Sequence, residues 1–108
     1  MAKFEIYIDR KGEFRFRLKA GNGLTILASE GYKSKNGCMN GIEAVIKNSQ
    51  KDINYERLRA LNGKTYFNLK SANGAVIGTS QTYESTSSLE NGIASVKKNA
   101  PIATVELI

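Results

Sequence analysis

Cys38 is the only thiol in the 108-residue chain, and no histidine stands anywhere to activate it. A cysteine attacks as the thiolate, which forms only beside a base or in an electropositive pocket. Without histidine the commonest general base and metal ligand is missing, and a Cys/His zinc cluster is excluded. Cys38 therefore reads as a packing residue. Among acids, Glu5 and Glu56 are the pair to weigh, because they occupy matched positions in two similar stretches 51 residues apart. Two symmetry-related carboxylates could work as an acid/base pair, although such groups more often pair with cations on a neighbouring strand. Arg15 and Arg17 offer that in the first stretch only. Gly21-Asn-Gly23 lacks the Lys-Ser/Thr and the strand-to-helix setting of a phosphate loop, and its counterpart is Ala72-Asn-Gly74. No catalytic, cofactor-binding or metal-binding residue is assigned, and the chain is expected not to be an enzyme.

The two stretches are copies. A 51-residue shift lays Phe16–Gly23 on Phe67–Gly74 and Asn40–Asn48 on Asn91–Asn99 without a gap. Such self-similarity fixes the unit of the fold before any element is assigned. One domain, residues 1–108, made of two repeats of about 1–51 and 52–108, suits a chain of this size.

Within each copy three alternating, β-rich segments precede one helical segment. Phe4–Ile8 and Phe14–Lys19 alternate apolar and polar residues as strands do, and Leu24–Ala28 follows as a third. The second copy repeats them as Tyr55–Arg59, Lys64–Lys70 and Ala75–Thr79. Asn22-Gly23, Asn62-Gly63 and Asn73-Gly74 signal tight hairpins of type I′. Ser34 and Ser85 are placed as helix N-caps. Cys38, Ile42 and Val45 recur as Leu89, Ile93 and Val96 along one helical stripe. Gly41 and Gly92 lie beside that stripe, where a mid-helix glycine implies close approach by the sheet. Asn48 and Asn99 suit helix C-termini in the left-handed conformation. Thr104–Ile108 is again strand-like. The order βββα-βββα-β predicts an α+β fold: two tandem repeats plus a closing strand in one antiparallel sheet, with both helices on one face.

The paired pattern Phe-x-Leu-Lys-x-x-Asn-Gly, Tyr-x-Ser and Asn-Gly-Ile-x-x-Val-x-x-Asn resembles the YegP-like family of small bacterial proteins. The resemblance covers nearly the whole chain in both copies. It implies tandem β3-α-β units merged into one sheet by exchange of their closing strands. Strand 53–60 ends one unit and begins the next, so it is expected to be shared between them. It carries no biochemical activity. Arg57, standing where the first copy has Ile6, is the departure that bears on the inward register of its strand.

Sixteen Lys and Arg against ten Asp and Glu give a net charge of +6 and a pI near 9.6. The basic residues are dispersed, so this favours solubility more than a dedicated anionic partner. No segment approaches the ~20 apolar residues of a membrane span. The opening segment has neither signal nor transit character, and a single cysteine fits a reducing cytoplasm. Alternation places Tyr7, Arg15, Arg17, Lys19, Leu27, Tyr66 and Asn68 on the sheet face that the helices leave uncovered. Basic and aromatic side chains on one sheet face are what single-stranded nucleic acid stacks on, yet no RNP-type motif accompanies them. Tyr32 and Tyr83, two residues before each helix cap, either staple the helix entry or line a groove. The expected function is a non-catalytic interaction module, acting as a pseudo-twofold monomer with an unidentified protein partner and no cofactor. The alternatives are a weak, sequence-independent nucleic-acid binder and an enzyme using paired carboxylates.

Overall fold

The alternating segments pair as their apolar faces require. In a computed structural model of residues 1–108 the strands are β1 (Lys3–Ile8), β2 (Phe14–Lys19), β3 (Thr25–Ala28), β4 (Tyr55–Arg59), β5 (Thr65–Lys70), β6 (Val76–Thr79) and β7 (Thr104–Leu107). The helices are α1 (Lys35–Asn48) and α2 (Thr86–Asn99). They form one seven-stranded sheet in the order β4-β5-β6-β3-β2-β1-β7. The first six strands read as a palindrome of the two copies, so the pseudo-twofold axis passes between β3 and β6. These meet through the single pair Ala28↔Thr79.

Phe4, Ile6, Phe16 and Leu18 from the first half join Phe67 and Leu69 from the second in one buried core, beneath the apolar stripes of both helices. Both helices thus cover the same face. Each also straddles the seam: α1 packs on β2 and reaches β5 and β6, while α2 packs on β5 and reaches β3. Ser34 and Ser85 cap as expected, accepting from the N–H of Gly37 at 3.0 Å and of Ser88 at 3.1 Å. No helix is long and apolar enough to cross a membrane.

Several expectations are corrected. The sheet is mixed, because β7 runs parallel to β1 (Phe4↔Val105, Ile6↔Leu107) while the other pairs are antiparallel. β4 is not shared between the units. It pairs with β5 alone and forms the far edge of the sheet; it is the closing strand β7 that crosses to the first unit. The turns are not type I′, since only the glycines adopt positive φ. Gly23 donates to Ala20 O at 2.9 Å and Ala20 to Leu24 O at 3.0 Å, a type I turn followed by a left-handed glycine, the usual three-residue hairpin. Gly12, Gly63 and Gly74 repeat this.

Leu27 does not lie on the uncovered face. The β2–β3 register shifts so that Leu18 pairs with Leu27 but Lys19 with Thr25. This bulge at Ile26 turns Leu27 inward, to 1% exposure, because an extra residue resets the alternation. Asn48 and Asn99 are not left-handed either. Their carboxamides donate to the i−4 carbonyls of Ala44 and Ser95, each at 2.8 Å, which ties off the last helical turn.

Candidate functional site: the uncovered sheet face

Register carries one row of side chains across the uncovered face. Glu106, Glu5, Arg17, Ala28, Thr79, Asn68 and Glu56 are successive cross-strand partners on seven strands. Cross-strand neighbours on one face interact directly. Arg17 Nε donates to Glu5 Oε1 at 2.8 Å, Thr79 Oγ1 to Asn68 Oδ1 at 2.8 Å, and Asn68 Nδ2 to Glu56 Oε1 at 3.3 Å. Ala28 and Thr79 sit at the centre of this row, and sequence reasoning missed both. No sequence signal marks them, because the bulge at Ile26 that reverses the facing of β3 leaves no trace in an apolar run.

The two ends of the row differ. Glu5 is only 5% exposed, although it lies on the uncovered face. Arg17, Lys19 at 3.3 Å and Lys3 at 3.7 Å close over it. The hydrogen bond from Arg17 is the chief cause that holds its carboxyl below the ordinary value, against the opposing pull of burial. Lys3 also reaches Glu106 of β7 at 3.8 Å, clipping the closing strand to β1. Glu56 meets Lys70 at 3.2 Å and is 40% exposed at its side chain. The Lys70 hydrogen bond leads in lowering its carboxyl. The two glutamates stand five strand spacings apart in the sheet, roughly 24 Å at ~4.8 Å each. They cannot share a proton or a substrate.

Of the sequence-designated face residues, Tyr7, Arg15, Arg17 and Lys19 come together. Tyr7 pairs with Arg15 and lies under the Arg17 guanidinium, 4.7 Å from ring centroid to Cζ. Arg15 Nε binds Asp9 Oδ2 at 2.7 Å. That bond leads in lowering the Asp9 titration, helped by the backbone N–H groups of Glu13 and Lys11, and it also leads in raising that of Arg15. Tyr7 and Arg15 flank a shallow depression of about 340 Å³ with Asp9, Arg10 and Lys11. Tyr66 and Asn68 belong to the other half. Because β2 and β5 are related by the twofold, Tyr66 lies at the opposite end of the face from Arg15. The face is therefore two unlike half-surfaces joined by the polar row. In the first half, four cations (Lys3, Arg15, Arg17, Lys19) meet three carboxylates (Glu5, Asp9, Glu106).

Tyr32 and Tyr83 line none of the surface clefts. Tyr32 exchanges backbone hydrogen bonds with Phe14 at 2.7 and 2.8 Å and stacks on Phe16. Tyr83 does the same with Thr65 and Phe67. Their rings fill the space that Gly41 and Gly92 leave open, so the close approach signalled by those glycines is of tyrosine to helix. Burial raises both phenols. Cys38 is fully buried and burial pushes its thiol up, away from the thiolate. No three or more His, Cys, Asp or Glu side chains gather into a metal-holding group.

Arg57 keeps the inward register of its strand, pairing with Phe67 as Ile6 pairs with Phe16. It is tolerated because β4 is the outermost strand, where Arg57 meets Glu90 of α2 at 2.6 Å and Asp52 at 3.0 Å. Ile6 is buried instead, beside β7.

The family described as domain of unknown function DUF1508 matches residues 9–56 and again 60–106. The chain belongs to this family. The first match runs from the end of β1 through β2, β3 and α1 into β4, and the second from the end of β4 through β5, β6 and α2 into β7. A UPF0339 protein in the ptx operon 5′ region of Stutzerimonas stutzeri is 59% identical over 94% of this chain and 92% of its own length. The UPF0339 protein YegP of Escherichia coli K12 is 52% identical over 95% and 94%. The solution NMR structure of E. coli YegP, titled a protein of unknown function, superposes with a TM-score of 0.93 at 50% identity, covering 98% of this chain and 91% of that one. A UPF0339 protein of Shewanella oneidensis, also solved by NMR, gives 0.92 at 47% identity, over 98% and 90%. The YegP-like resemblance and the α+β architecture are thereby shown, and neither the family description nor these titles names an activity.

Proposed function

We propose that this protein is a non-catalytic interaction module that works as a pseudo-twofold monomer in a reducing cytoplasm and contacts another protein through the first half of its uncovered sheet face. The observation that carries this is charge matching. Arg15 and Arg17 each lie against a carboxylate within 2.8 Å, and Lys19 shares Glu5 with Arg17. A face built to hold phosphates presents its cations free, and its affinity rises with each phosphate neutralised. Here the cations are already occupied, and the Tyr7 ring that could stack on a base lies beneath Arg17. Ion-paired polar groups beside aromatic rings suit recognition by another protein, where such pairs fix register and partner choice. Two further features support a non-catalytic reading: the matched glutamates lie far apart, and the one thiol is buried with its titration raised.

The test is crosslinking and recovery from the native cell, with lysate divided into nuclease-treated and untreated halves. A protein recovered equally from both, and lost with Arg15→Ser/Arg17→Ser, is the expected result. Recovery abolished by nuclease, or binding to single-stranded DNA or RNA that falls steeply with salt, would replace this reading with the nucleic-acid one.

A further inference from the structure

The sheet has two edges, and the chain treats them in opposite ways. An unpaired edge offers its backbone to any passing strand, and proteins blunt that hazard with charge, capping or coverage. The β4 edge is blunted. The Tyr55 N–H is taken by Asp52 O in the preceding 3-10 turn, and the Tyr55 carbonyl accepts from Arg57 Nη1 at 3.4 Å. Arg57 itself is anchored to Glu90 and Asp52, and Arg59 follows on the same face.

None of this protects β7. Thr104 donates to Ala2 O at 3.2 Å and Ile108 to Ile6 O at 3.0 Å. By alternation, the N–H and C=O of Val105 and Leu107 point away from β1 into the open. Their side chains share the helix side with Phe4 and Ile6, their partners in β1, but lie beyond the helices. Val105 is 44% exposed, Leu107 56% and the neighbouring Ile8 60%. The one charge on the strand is Glu106, on the other side. Free backbone pairs, apolar side chains on alternate residues and a half-exposed carboxylate behind them, reached from β1 by Lys3 alone, make up a strand-addition template.

Resting on the interaction-module reading, we infer that the β7 edge receives an extended segment of a partner protein, with apolar residues at alternate positions and a Lys or Arg facing Glu106. A second copy of this chain is a poor occupant. The antiparallel register that sets Val105 against Leu107 of another β7 also sets Glu106 against Glu106, and directly opposed like charges destabilise a sheet. Each copy further carries a net +6. On the β4 edge of another copy the Tyr55 N–H and C=O are already taken, and Arg57 and Arg59 put charge beside them. Four residues of edge bury far less than the ~1,200 Å² at the low end of stable interfaces, so affinity for an isolated segment falls in the micromolar-to-millimolar range.

The probe is an acetylated, amidated eight-residue peptide alternating Val and Lys, titrated into the 15N-labelled full chain. Amide shifts and slowed hydrogen exchange at Val105 and Leu107 are expected, with at least five-fold weaker binding of the Val/Glu peptide. Two variants close the edge. Leu107→Pro removes an outward N–H that makes no bond to β1, and Val105→Lys installs the charge that β4 carries. Each should weaken binding at least five-fold while the Ile108 N–H stays protected. No change at β7 up to millimolar peptide, equal binding of the Val/Glu peptide, or unaltered binding by both variants overturns the inference. A cellular partner that binds Leu107→Pro as well as wild type removes this edge and leaves the module reading standing. Peptide bound at β7 with no cellular partner recovered does the reverse.

Discussion

Alanine at Gly41 sets two known effects against each other. Helix propensity alone makes Gly→Ala stabilising by about 0.5–1 kcal/mol in a helix interior. The added Cβ, however, would overlap the Tyr32 hydroxyl, lie 2.7 Å from its Cζ and 3.1 Å from Phe16 Cε2. Overpacking of this kind costs about 1–3 kcal/mol, towards the upper part where the neighbour cannot retreat. Tyr32 cannot: its backbone is tied to Phe14 by two hydrogen bonds of 2.7 and 2.8 Å, and its ring lies 6.2 Å from that of Phe16 at 18°. The net expectation is a loss of about 1–2 kcal/mol, or roughly 5–10 °C in Tm for a domain of this size. Thermal and urea unfolding of Gly41→Ala measure it. Tyr32→Phe in the same background should restore part of the loss, about 0.5–1 kcal/mol of coupling, since the hydroxyl is the nearest atom. The duplicate supplies a replicate, because a Cβ at Gly92 would lie 2.6 Å from Tyr83 Cζ. A Gly41→Ala protein more stable than wild type would refute the reasoning, for propensity would then have won and the tyrosine would be free to move.

Cys38→Leu, which installs the residue its duplicate uses, enlarges a fully buried side chain and should cost about 1–3 kcal/mol, as overpacking does, and native Cys38 should alkylate far more slowly than the unfolded chain. Glu5 and Asp9 titrate below their ordinary values of 4.5 and 3.8 because Arg17 and Arg15 donate to the ionised forms. Their ionisation supports folding above the unfolded-state pKa, and that support is lost as pH falls through the lowered native values. The urea midpoint should hold between about pH 7 and 5 and fall below about pH 4, with a shallower fall in Glu5→Gln. Arg57→Ile, matching Ile6, should cost about 1 kcal/mol or less, since the ion pairs it removes are solvent-exposed. It should also make the protein associate with rising concentration in size-exclusion chromatography, by uncovering a second apolar edge.

Local pattern disclosed what depends on local pattern. The helical stripe from Cys38 to Val45, the serine caps and the strand alternation of β1, β2 and β5 need only neighbours in sequence, and all are read directly. The type I′ expectation failed because Asn-Gly serves a two-residue turn as well as a three-residue one, and only the pairing Ala20 with Leu24 tells them apart. Leu27 was misplaced because a bulge leaves no mark in an apolar run such as Leu24–Ala28. β7 reads as a strand from its sequence, but its neighbour and direction depend on where α2 delivers the chain, a tertiary property. The face residues Arg15, Arg17 and Lys19 were legible by alternation. Their neutralisation by Asp9 and Glu5 was not, because cross-strand register decides which charges meet.

Duplication separates what the fold demands from what it permits. Phe16 and Phe67, Ile42 and Ile93, Gly41 and Gly92, and Tyr32 and Tyr83 are matched in identity and in environment. Ser29 and Ser80, which accept from the N–H of Phe16 and Phe67 at 2.9 Å, are matched as well. These positions carry architecture, and the same change at either mate should have the same effect. Mismatches run through both copies, Glu43 against Ala94 and Ile46 against Lys97 on the helices among them; those around β1 and β2 include Lys3 against Asn54, Ile6 against Arg57, Asp9 against Ala60, Arg15 against Tyr66 and Arg17 against Asn68. In the first half these last lie on β1 or β2 or in the turn between, next to β7. In the second half only Arg57 among the equivalent positions is charged, and it lies on the edge strand β4. A fold that needed only stability could have kept both corners alike. The chain instead holds a buried, triply compensated Glu5, a lysine clip onto β7 and an unprotected apolar edge together in one corner. These asymmetries are what the proposed partner contact at the β1–β2–β7 corner rests on.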